Sequence, residues 1–151
     1  FDGSGVVVRN YEGPMTAEER SRREAERARK QEEERQAREL ERSNRALRAS
    51  YASVSDIDAK RDRLLAEANE NLKQAREDLN AALAHKHKLD MEAEFFQKKP
   101  MPDALKSELR ENQEELARLQ ATVDERTRDI AAITARFDDE KKRYLGLGGR
   151  R

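Results

Sequence analysis

From Leu105 onward the apolar positions fall into a four-three alternation that does not slip. Leu105, Leu109, Leu116, Leu119, Val123, Ile130, Ile133, Phe137 and Tyr144 take it, and Asn112, Arg126 and Glu140 occupy its polar places. This spacing predicts one helix over 102–145 with the seam of a coiled coil. A strict seven-residue repeat implies left-handed supercoiling, because an undistorted helix drifts away from it. Gly146, Gly148 and Gly149 supply the stop. A second stripe precedes it: Ile57, Leu64, Ala68, Leu72, Ala75, Leu79, Ala82, Leu89, Ala93 and Phe96 share one face of a helix predicted over 56–97, interrupted by Arg61 and Lys86. Pro100 and Pro102 lie between the two stretches, where neither can continue a regular helix. The expected result is an antiparallel hairpin over 55–146, about 60 Å long at 1.5 Å per residue. Pairing Phe96 with Leu105 across the bend brings Ala82 to Leu119, Leu64 to Phe137 and Ile57 to Tyr144, small against large.

Upstream the pattern changes. Over 16–54 a charged helix is predicted, opened by Thr16 and Glu19 at capping-box spacing. Its first half has almost no apolar stripe, but Glu18/Arg22, Glu19/Arg23 and Glu26/Lys30 stand one turn apart, each pair adding about 0.2–0.5 kcal/mol. Leu40, Asn44, Leu47, Tyr51 and Val54 then resume a seam, and Ser53 to Ser55 mark a kink or break. Leu40, Leu47, Tyr51 and Val54, with Phe95 near the bend, are the residues expected to face a partner. Residues 1–15 read as a strand and linker, the strand at Val6-Val7-Val8, and as the end of a truncated β-domain, since one strand cannot stand alone. Residues 147–151 read as a flexible tail. The fold class is therefore all-α: a long antiparallel coiled-coil helical hairpin preceded by a charged helix and a short N-terminal strand.

Composition narrows the function. Charged residues are 42% of the chain and aromatics 5%, too little apolar material for a globular interior. Lys plus Arg equals Asp plus Glu, 32 against 32, and the signs are interleaved, so the basic face that nucleic-acid binding needs is not favoured. Cysteine is absent, which excludes thiolate chemistry, and no apolar run approaches the roughly 20 residues of a membrane span. No combination of residues suggests a catalytic or cofactor site, and a non-enzymatic role follows. His85 and His87 point to different sides of a helix, and with Met91 they are too few to make a metal site. The expected partners are proteins in a larger complex or further copies of the chain. Two alternatives stay open: a cytoplasmic nucleic-acid or ribosome-associated coiled coil using the arginines of the charged helix, and a holdase-like chaperone gripping clients with Phe95, Phe96 and Met101.

Three patches carry a family resemblance: Gly5-Val6-Val7-Val8-Arg9 with Glu12-Gly13-Pro14 and Thr16-Ala17-Glu18-Glu19; Ser50 to Ile57 with Arg61 to Leu64; and Ala135 to Asp139 with Arg143-Tyr144. Through them the chain resembles the helical part that follows the small N-terminal β-domain in proteobacterial envelope proteins of the DUF4124 type. The resemblance implies export to the periplasm, with Phe1 inside or just beyond that domain's last hairpin. It implies no activity and transfers no binding residue.

The seam predicts its own test. Ile130→Asp should cost several kcal/mol, roughly the penalty of an unpaired buried charge, and lower the thermal midpoint sharply, whereas Glu114→Gln should leave it unchanged.

Overall fold

The computed structural model describes residues 13–151. The strand expected at Val6–Val8 lies outside the described residues. Among those described, the chain is all-α: α1 is Ala17–Ser50, α2 is Val54–Ala93, a short 3₁₀ turn follows at Glu94–Phe96, and α3 is Asp103–Gly146. No strand occurs among the described residues. The chain divides into two compact units, Phe1–Ala46 and Leu47–Arg151.

The described part of the first unit is the body of α1. Thr16 Oγ1 accepts the Glu19 N–H at 3.0 Å, so the capping bond forms where the spacing places it. Beyond it the helix is held by its own charges. Arg29 bridges Glu26 and Glu33, and Arg35 bridges Glu32 and Glu39. Glu26 thus takes a hydrogen bond from Arg29, three residues on, instead of from Lys30. These hydrogen bonds from Arg29 and Arg35 hold the Glu26 and Glu32 carboxyls below the usual range. A lowered carboxyl stabilises the helix above the ordinary glutamate value, and that help is lost as pH falls through the lowered one. All these side chains are exposed, so the effect on the folded state is small.

The second unit begins at Leu47 and is built on α2 and α3. The break expected at Ser53 to Ser55 falls at residues 51–53. There the Asp56 carboxylate accepts the Ala52 N–H at 3.0 Å, and Ser53 stands extended (φ −160°) as the N-cap of α2 without a side-chain bond. The Val54 N–H donates instead to the Arg150 carbonyl at 2.7 Å. The C-terminal residues, expected as a flexible tail over 147–151, are therefore engaged with the start of α2. Tyr144 organises this corner. Its hydroxyl donates to the Tyr51 carbonyl at 3.0 Å, and its ring meets that of Tyr51 edge-on at 6.4 Å. A Cβ at Gly149 would lie 2.1 Å from the same ring, and Gly148 sits at φ +81°, so the chain can return here only through glycines.

α2 packs along α3. Tyr51 meets Tyr144, Asp58 meets Lys141 and Ala82 meets Asn112, so low numbers pair with high ones and the two helices run in opposite senses. Ile57, Leu89 and Phe137 are the most deeply buried large side chains. Each such burial stabilises the fold by roughly 1.5–3 kcal/mol. Two details differ from expectation. α2 ends at Ala93, earlier than 97, because its last turn tightens into the 3₁₀ form ahead of the prolines. Ala82 receives its hydrogen bond from Asn112, one heptad nearer the bend than the predicted Leu119.

The Tyr144 corner can be broken in two ways. Tyr144→Phe leaves the Tyr51 carbonyl without its donor and should cost about 1–3 kcal/mol. Gly149→Ala should drive a methyl into the ring and also lower the thermal midpoint followed by circular dichroism. Because both act through the Tyr144 ring, their combination should fall short of the sum of the two. Unchanged melting in both variants would show that this corner carries no stability.

Candidate interaction surfaces

The seam residues of α3 fall into two groups. Leu105, Phe137 and Tyr144, near the ends, are buried, while Leu109, Leu116, Leu119, Val123, Ile130 and Ile133 between them are half-buried. On α2, Ile57, Leu72 and Leu89 are buried, and Leu64, Leu79 and Phe96 are half-buried. The reason is geometric: two helices cover one side of each other's stripe and leave its flank to solvent. Ile130, half-buried, is thus a milder site for a charge than Phe137, which is 1% exposed.

Of the residues expected to face a partner, three do not. Leu47, Tyr51 and Val54 are buried in this chain's own core with Ile57, Phe137 and Tyr144. The break after Ser50 turns Tyr51 into α3, which a seam drawn through a continuous helix cannot show. Leu40 and Phe95 stay out, at 59% and 79% exposure. Phe95 stands in the 3₁₀ turn before the prolines.

The polar seam positions separate by chemistry. Asn112 is buried and its amide donates to the Ala82 carbonyl at 3.1 Å, tying α3 to the backbone of α2. Arg126 is half-buried and reaches Asp129 at 3.5 Å and Glu125 at 3.9 Å, both on its own helix. Glu140 has its Oε2 buried without a hydrogen bond; Arg136 Nε stands 3.7 Å away, within ion-pair reach but too far to donate. Beside the seam, Lys141 of α3 meets Asp58 of α2 at 3.1 Å, and Arg61 adds a second contact to that carboxylate at 3.2 Å. Sequence periodicity could not find these links, because Asn112 bonds to a backbone atom and Lys141 lies off the four-three pattern.

Along one side of the seam runs an open groove of about 440 Å³. Leu64 and Ala68 of α2 with Ala132 and Ile133 of α3 make its apolar floor. Glu67 and Asn71 form the α2 rim, and Arg126, Asp129 and Arg136 the α3 rim. Among the described residues, no three histidine or carboxylate side chains gather as metal ligands, and His85 and His87 are exposed. No described helix is long and apolar enough to cross a membrane.

Asn112 supplies a test of register. Asn112→Leu should leave the thermal midpoint unchanged or raise it, since an apolar residue replaces a buried amide, while removing the device that fixes the alignment. Spin labels at positions 64 and 137 should then report a broader distance distribution than in the parent chain; an equally narrow one would deny Asn112 that role. Compared with known proteins, the chain matches no family model, no curated protein and no solved structure.

Proposed function

We propose that the chain is a non-enzymatic scaffold or assembly protein, that α2 and α3 form an antiparallel coiled-coil hairpin, and that the hairpin binds a larger envelope complex or further copies of itself. One observation supports this reading above the others. The middle of the α3 stripe, from Leu109 to Ile133, is only half-covered by α2, so apolar surface already patterned for helix packing is left for another helix. The resemblance to DUF4124-type envelope proteins supports a periplasmic location. Pairing of Arg29 and Arg35 with glutamates of their own helix weighs against the nucleic-acid alternative, because it cancels the field that would draw phosphates.

A second reading rests on Phe95. A phenylalanine 79% exposed, with Met91 54% exposed on the turn of helix before it, offers an apolar contact for unfolded chains. Phe95→Ala should then abolish suppression of client aggregation; retained suppression removes the chaperone reading.

The scaffold reading is tested by mass and by capture. Light scattering on the intact chain should give a mass above that of one copy, or affinity capture from envelope extracts should return a stoichiometric partner. A monomer that retains no partner defeats it.

A further inference from the structure

We propose that the groove beside the seam is the docking face for a second copy of this chain, and that a two-fold axis lays α2 of each copy on α3 of the other. The inference rests on the scaffold reading and goes beyond it in naming the occupant and the face.

The chemistry of the groove matches itself. Its floor is apolar and contains two alanines, so a second pair of helices can approach closely enough to bury the half-covered stripe. The rims carry opposite characters on the two helices: a carboxylate and an amide, Glu67 and Asn71, on α2, and two guanidinium groups flanking one carboxylate, Arg126, Asp129 and Arg136, on α3. The ion pairs there are long, and Arg136 also lies over the ring of its neighbour Phe137. Arg126 stands 3.5 Å and 3.9 Å from its acidic neighbours, Arg136 stands 3.7 Å from Glu140, and Glu67 has no ion pair among the described residues.

A polyanion would meet Glu67 and Asp129, and a basic surface would meet both arginines; neither fits. A copy of the same face does. In an isologous contact every pairing occurs twice. Because α2 and α3 run in opposite senses, laying α2 on the partner's α3 at the same level sets Glu67 against the arginine nearest it, Arg136, and Asn71 against Asp129. Stacking α3 on α3 in opposite senses would instead place Arg126 against Arg136, like charge on like, which selects the first arrangement.

The design of the interface dictates the experiment. Glu67→Arg and the double variant Arg126→Glu/Arg136→Glu each put like charges across both halves of the contact. Glu67 lies exposed at the groove rim, so Glu67→Arg should leave the helicity unchanged, whereas the double variant also removes the contacts of Arg126 and Arg136 with acids of their own helix, so its melting is followed by circular dichroism and sedimentation is read well below its midpoint. Sedimentation of the intact parent chain should show a dimer, and each variant alone should dissociate at least about tenfold more readily. Mixed in equal amounts, the two variants should recover a heterodimer, since the arginine placed at position 67 of one chain then faces the glutamate placed at position 136 of the other, and the native Glu67 faces the native Arg136. A dimeric parent unaffected by either variant overturns this face while sparing the scaffold reading. A monomeric parent that still captures an envelope partner overturns the second copy as occupant. Failure of the mixture to recover overturns the pairing.

Discussion

The Leu47–Arg151 unit depends on the burial of one apolar stripe of α2 against one of α3. Nothing else in it is strong enough to hold two helices of this length together. The Lys141–Asp58 ion pair between the helices is partly exposed, and an ion pair of that kind is worth about 0–1 kcal/mol. Ile57, Leu89 and Phe137, at 0%, 1% and 1% exposure, supply several times that. The remaining features of the unit serve this contact. Asn112 ties α3 to the Ala82 carbonyl of α2, and Tyr144 with Gly149 closes the end far from the prolines.

That closure explains why the break after α1 is placed as it is. Ending α1 at Ser50 frees the Tyr51 carbonyl to accept the Tyr144 hydroxyl and turns the Tyr51 ring onto that of Tyr144. It also leaves the first N–H groups of α2 in need of acceptors. One is met by the Arg150 carbonyl, which can arrive only because Gly148 adopts a positive φ and Gly149 has no side chain to strike the tyrosine ring. A helix start and a helix end thus satisfy each other across the unit, in place of the serine cap that Ser53 does not provide.

Much of the helical content is legible in the residues alone, because local rules generate it. The Thr16–Glu19 cap, the start of α3 after Pro102 and the stop at its glycines come from chemistry within a turn or two of the chain. The rest depends on contacts between distant residues. Leu47, Tyr51 and Val54 follow the same spacing as an exposed seam, and only the turn at Tyr51 decides that they face inward. The groove is hidden for a similar reason: Glu67, Asn71 and Arg136 read individually as solvated polar residues and Arg126 as a polar place in the seam, and they become one surface only when α2 lies on α3.

The groove also falls where the two stripes disagree. The α3 positions from Arg126 to Phe137 keep a four-three-four spacing, whereas on α2 Leu64, Ala68 and Leu72 are separated by two successive fours. Such a step is a stutter in the heptad pattern of the sequence. Ala68 is covered, but Leu64 and Ile133 stay half-exposed and the flank between the helices opens. The doubled four falls at the level of the rim charges, where the apolar floor of the groove lies open to solvent.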